Sequence, residues 1–277
     1  MSAPYFYKNS NSRFLSIEGE DSSEFLQNLI TNDIYRCNKE NILYSCLLTP
    51  QGRFISDFFI FKKDEKYLIE THSFFYEKLL KKINLYKLRS KVLINEITNL
   101  NSYSVFGDLK KDGGTILFAN DPRNKNIGHK LIHEQQHPEI LNDFNEIDEK
   151  KYHEILIQNT VPLSHYDLEE NKSLLLENNF ENLNSISWEK GCYIGQEITA
   201  RMKYRALLKK RIYSLTFKEG SPIVEQSIKE NGSDYGKIIS IENDSILAML
   251  KIELAEKKIN AQQQIKTDEG LILNIIA

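Results

Sequence analysis

The 277 residues are 40% hydrophobic and 27% charged, enough to bury a sizeable core and long enough for two or three domains of usual size. A net charge of -3 gives no global attraction to a phosphate backbone or an anionic membrane, and no apolar run approaches membrane length. The first residues, MSAPYFYKNSNSRFLSIEG, match neither a secretory leader nor a transit peptide, and the 3 scattered cysteines form no CxxC pair; both features lead to the expectation of a reducing cytoplasm.

FLSIEG reads as a short strand. DSSEFLQNLITND reads as a helix, with Asp21 as N-cap, Glu24 completing a capping box, and Phe25, Leu26, Leu29 and Ile30 as the apolar stripe. NILYSCLLT, the turn PQGR, FISDFFIF, the turn KKDEK and YLIETH predict an antiparallel meander. SFFYEKLLKKINLYKL predicts a second helix, leading into the strand segments KVLINEI, NSYSVFG and GTILFAN.

GHKLIHE comes next as a strand, then a polar stretch, read as mobile, to about Asp148. A helix through YHEILIQNT must stop before Val161-Pro162, because a residue preceding proline is pushed out of the helical region. Ser164 to Ser187 is read as irregular. From residue 208 onward KRIYSLTF, YGKIISIE, SILAMLKI and LILNIIA predict a small all-β module, setting residues 208–277 apart from 1–207.

Chemistry concentrates in WEKGCYIGQEITAR, Trp188 to Arg201. If a helix begins near Cys192, its positive end and the Lys190 cation favour the thiolate, while Gly191 and Gly195 let the backbone turn or approach a ligand. The alternative is a buried structural cysteine. Glu197 and Arg201 are spaced to brace a helix surface. The cations Lys203, Arg205, Lys209, Lys210 and Arg211 are either a docking patch for phosphates or a polyglutamate tail, or a solvated face. His129, His133 and His137 have helical metal-site spacing but fall on a strand and a loop, so no metal is expected there. Cys192 with His153 or His165 as base would be a hydrolase arrangement, for which no oxyanion-hole motif is recognisable.

KGCYIGQE followed by AR resembles the signature of the YgfZ family, folate-binding proteins of iron-sulfur enzyme maintenance and tRNA modification, related in fold to the glycine-cleavage T-protein. IEGEDSSEFLQNLITND, LLTPQGRFISDFFIF, KKRIYSLTF and YGKIIS extend the resemblance over most of the chain. It implies an α+β fold of two interwoven subdomains with antiparallel sheets plus a C-terminal β-barrel, around an opening that receives tetrahydrofolate. It further implies pterin contacts from Asp33 and Glu177, an aromatic wall from Tyr152, and ligand contacts from Lys190, Gly191, Tyr193, Gly195, Gln196 and Arg201, with Cys192 as the functional thiol at the opening. Iron-sulfur client enzymes, including tRNA-thiolating ones, are the implied partners. The rival readings are a tetrahydrofolate-dependent aminomethyl or one-carbon transferase and a tRNA-binding module.

Overall fold

The computed structural model describes residues 3–276. Strands β1 (Tyr5–Lys8) and β2 (Ser12–Glu18) are neighbours in the chain but enter different sheets. Helix α1 (Ser22–Leu29) buries Phe25, Leu26 and Leu29 as the stripe requires. Its expected capping box does not form. The Asp21 side chain makes no cap bond and instead accepts from the Lys91 backbone N–H at 2.6 Å, so a distant loop outcompetes the local partner.

The meander forms as β3 (Ile42–Leu48), β4 (Phe54–Lys63) and β5 (Lys66–His72), and α2 (Ser73–Lys87) continues directly from it, capped by His72 Nδ1 accepting from the Phe74 N–H at 3.2 Å. With β6 (Leu93–Ile97) the first sheet has the order β3-β4-β5-β2-β6. β7 (Asn101–Phe106), β8 (Thr115–Asn120), β9 (His129–His133) and the short β10 (Asn145–Glu146) make the second, β10-β1-β7-β9-β8. The stretch read as mobile after His133 is fixed: Leu141 is buried, and the N–H groups of Asn145 and Ile147 donate to Pro4 and Phe6 carbonyls.

Helix α3 (Glu149–Gln158) is capped by Asp148, whose carboxylate accepts from Lys151 N–H at 2.8 Å. It ends ahead of Val161-Pro162 as predicted, and the one-turn α4 (Ser164–Asp167) interrupts the irregular run before α5 (Gln196–Tyr204). The third sheet contains β11 (Lys210–Glu219), β12 (Ser227–Glu230), β13 (Ser233–Glu242), β14 (Ser245–Lys251), β15 (Ile265–Lys266) and β16 (Ile272–Ile275), ordered β12-β13-β14-β11-β16-β15. Asp268 N–H donates to Lys229 O at 2.8 Å and Lys266 N–H to the Glu230 carboxylate at 2.8 Å, which brings the two edges together into a nearly closed barrel.

One expectation fails in this module, which is not all-β. The strand SILAMLKI stops at Lys251, and IELAEKKIN becomes α6 (Ile252–Asn260), with Ala255 fully buried and Leu254 and Ile259 packed on the barrel core. Strong helix formers with Glu253 in the first turn and Lys257 and Lys258 in the last favour that helix locally. Ala277, the last residue of the expected strand LILNIIA, lies outside the described residues.

Candidate functional site

The signature loop is built from its lysine. Lys190 is 8% exposed, and its Nζ donates to the carbonyls of Gln27 (2.7 Å), Ile30 (2.7 Å) and Asn32 (2.8 Å). These lie in and just beyond the last turn of α1, where carbonyls lack intrahelical partners and a cation is favoured. Burial pulls the Lys190 pKa down to about 8, against the opposing charge of Asp33. Lys190 therefore ties the loop to α1 and is unavailable as a ligand contact.

Gly195 has φ +83°, and a Cβ there would lie 2.5 Å from Thr49 O and 2.8 Å from Leu48 Cβ, in the turn that carries Gly52. Gly191, expected to shape the turn too, has no positive φ and nothing within 4 Å of a Cβ position. Between these anchors Cys192 is exposed, whereas Cys37 and Cys46 are buried. Helix α5 begins at Gln196, after the N-cap Gly195, so Cys192 precedes the helix and does not sit in its first turn. The dipole argument for the thiolate accordingly fails. Tyr193 is buried, and burial pushes its phenol up. Arg201 Nη2 lies 2.5 Å from Glu197 Oε1, the expected surface brace.

A cleft opens elsewhere, between the first two sheets and α3. Lys130 on β9 reaches across to Glu70 on β5, with Nζ 2.9 Å from Oε1 and both side chains 3% exposed. Ser12 Oγ donates to the same oxygen at 2.6 Å, and Lys130 also donates to Ser102 Oγ at 2.9 Å. Glu70 Oε2 is buried without a hydrogen-bond partner among the described residues.

Asp57 Oδ2 accepts from Tyr44 OH (2.6 Å) and Ser164 Oγ (2.7 Å). Arg123 donates from Nε and Nη2 to the two oxygens of Asp121, at 3.0 and 2.8 Å, and from Nη2 to Tyr152 OH at 3.0 Å. Tyr152 stacks on Tyr7 with centroids 4.4 Å apart, and His72 on His165 at 3.7 Å. Burial takes the His72 pKa down to about 4 and lowers that of His165, so both rings are neutral at neutral pH. The result is a slot with aromatic walls (Tyr7, Phe59, Phe75, Tyr152) and a few fixed polar groups, the usual composition of a small-molecule site.

Of the residues expected to contact a ligand, Tyr152 alone lines this cleft. Asp33 caps a 3-10 turn, accepting from Tyr35 N–H at 3.1 Å and from Gln27 Nε2 at 3.0 Å. Glu177 faces the barrel, 3.4 Å from Lys210 Nζ, and Cys192, Lys190, Gly191, Tyr193, Gly195, Gln196 and Arg201 are absent from the cleft lining. The thiol loop and the cleft are separate features.

Asp57, Glu70 and Lys130 were missed by sequence reading. Their signal was a charge next to apolar residues within a strand segment, in FISDFFIF, YLIETH and HKLIH. The basic run is partly neutralised: Lys203 pairs with Glu181 and Lys210 with Glu177, while Arg211 lies 5.0 Å over the Tyr213 ring. His133 is fully buried and bonds Asp112 at 2.8 Å.

Comparison with known proteins agrees with this architecture. A model of the GCVT N-terminal domain matches residues 7–108. The chain is 30% identical over 227 residues to the iron-sulfur cluster assembly factor IBA57 homolog, mitochondrial, of Neurospora crassa, covering 74% of this chain and 52% of that protein. It is 26% identical over 292 residues to the iron-sulfur cluster assembly factor IBA57, mitochondrial, of Mus musculus, covering 94% of this chain and 80% of that one. The chain thus spans about half the length of the fungal relative and about four fifths of the mouse one. The glycine cleavage system aminomethyltransferase T of Bartonella henselae superposes with TM-score 0.74 at 10% identity, over 99% of this chain and 85% of that one. Two interwoven sheets followed by a nearly closed six-strand barrel are therefore the T-protein-like fold.

Proposed function

We propose that the protein is a folate-binding accessory factor in the assembly or repair of iron-sulfur clusters, with Cys192 as the thiol that meets the cluster or its client. The observation that carries this reading is the presentation of Cys192, an exposed thiol on a loop anchored at Lys190 and Gly195 while the other two cysteines are buried. The names of the Neurospora and mouse relatives supply the process.

Iron-sulfur clusters are held by several thiolates, and among the described residues no group of three or more His, Cys, Asp or Glu could hold a metal ion. One cysteine can give one ligand, so the remaining ligands come from a carrier or client protein. Clients that thiolate tRNA belong to this proposal. Direct tRNA contact does not, because several cations of the basic run already have acidic or aromatic partners. The cytoplasm and the mitochondrial matrix are both reducing enough for an exposed thiol. The relatives' names place those proteins in mitochondria.

Tetrahydrofolate is assigned to the cleft. The aromatic walls and the free Glu70 oxygen suit the flat, N–H-bearing end of that molecule. Arg123 and Lys130 are each committed to a carboxylate, so the glutamate tail must find its cations outside the slot. In this reading residues 1–207 are the folate-binding body and 208–277 the barrel module.

The test is Cys192→Ser in cells dependent on this protein. Client iron-sulfur enzyme activity should fall to the level of cells lacking the protein, with thermal unfolding unchanged because the side chain is exposed. Full client activity would overturn the role of Cys192. A folate-dependent aminomethyl or one-carbon transferase is the second reading, favoured by the likeness to aminomethyltransferase T. Turnover of tetrahydrofolate with an aminomethyl donor decides for it.

A further inference from the structure

Two buried polar atoms of the cleft lack partners among the described residues, and both belong to β5. Glu70 Oε2 is one and His72 Nε2 the other. Residues two apart on a strand point to the same face. Glu70 is an acceptor there, because Ser12 and Lys130 already occupy its Oε1. His72 Nδ1 accepts from Phe74 N–H, so in the neutral ring the proton is on Nε2 and that atom is a donor. An unsatisfied buried acceptor and an unsatisfied buried donor on one strand face are costly to leave without partners.

The pair matches a planar ring whose edge offers an N–H next to a carbonyl oxygen. It does not match an anion: Asp57, Glu70 and Glu149 all line the cleft, and Arg123 and Lys130, the cations lining it, are paired.

We propose that Glu70 and His72 are the specificity-determining pair of the cleft, Glu70 Oε2 accepting from the amino or ring N–H and His72 Nε2–H donating to the carbonyl of a 2-amino-4-oxo pyrimidine edge. This rests on the assignment of a folate to the cleft and says which edge of it enters.

The experiment is calorimetric titration of the full chain with folic acid, its 2-desamino analogue and its 4-amino analogue. Wild-type protein should bind folic acid about tenfold or more tightly than either analogue, since each mismatch leaves a buried group unpaired. Glu70→Gln keeps an oxygen for Ser12 and Lys130 but puts an N–H₂ where the ligand needs an acceptor. It should lose about tenfold in folic acid affinity and its preference over the 2-desamino analogue, with the 4-amino discrimination retained.

Wild-type protein that binds no folate overturns the folate assignment and this proposal with it. Folate binding in which the 2-desamino analogue does equally well, or in which Glu70→Gln discriminates as wild type does, overturns the proposal alone. The wild-type comparison needs no variant to fold.

Discussion

Gly191 and Gly195 stand in one loop under different constraints. At Gly195 the backbone is left-handed, and an added Cβ would meet Thr49 O at 2.5 Å, so both conformation and space exclude a side chain. At Gly191 neither does. Gly195→Ala should therefore lower unfolding stability by about 1–3 kcal/mol, and Gly191→Ala should stay within about 0.5 kcal/mol, both read from urea midpoints at constant slope. Equal effects would mean that the loop is not held at the Gly195–Gly52 contact. In the sequence the two glycines look alike, because φ is decided by the turn at Thr49 to Gly52, more than a hundred residues earlier in the chain. The same distance hid the role of Lys190: its carbonyl partners lie in the last turn of α1 and just beyond it.

Helix α3 shows how far an element can be read from its own segment. YHEILIQNT and the proline after it located the helix, but Tyr152 to Ile157 are all buried, so the helix is enclosed all round and not on one face. Its packing partners were not legible there. His153 is 3% exposed and lies between Asp167 of α4, with Nε2–Oδ2 3.3 Å, and Glu242 of β13, with Nδ1–Oε1 3.2 Å. Asn243 donates to Glu154 and Gln158 to Ser245 across the same junction, Lys151 pairs with Glu154, and the Tyr166 ring meets His153 edge-on.

Burial pulls the His153 pKa down, but the two carboxylates outweigh it and the net shift is upward. Both ring nitrogens face carboxylate oxygens, an arrangement that favours the doubly protonated imidazolium. A native pKa above the unfolded value, near 6.5, means that the stabilisation is fully present below that pH and lost as pH rises through the native value. Glu242→Gln should therefore cost about 1 kcal/mol at pH 5.5 and much less at pH 9, measured as paired urea denaturations. A cost that does not change between the two pH values would show that His153 is neutral in the native state. Helix α6, in contrast, was missed because SILAMLKI runs into IELAEKKIN without a turn residue, and strand and helix patterns cannot be separated at such a junction.

At the scale of the molecule, the resemblance carried by four sequence blocks anticipated the sheets, the barrel and an opening for a ligand, but, of the residues that line the cleft, only Tyr152. The cleft is made of contacts between segments that are each unremarkable alone: Glu70 with Lys130, Asp57 with Ser164, Tyr7 with Tyr152. The crossing of β1 and β2 into different sheets creates those contacts, and it ties the folding of residues 7–108, the span of the GCVT N-terminal domain match, to the strands and helices beyond residue 108. In an isolated 1–108 fragment β7 would lose β9, β1 would lose β10, and Glu70 would lose the cation of Lys130. Removing one member of a buried pair costs about 3–5 kcal/mol, a large part of the roughly 5–15 kcal/mol that holds a protein folded, before the lost strand pairing is counted. The fragment should thus lack a cooperative urea transition, bind a hydrophobic dye and show no near-ultraviolet circular dichroism, and mixing it with a 109–277 fragment should restore all three native properties. A sharp transition in the 1–108 fragment alone would mean that the first sheet is self-sufficient and that the cleft closes on a preformed half.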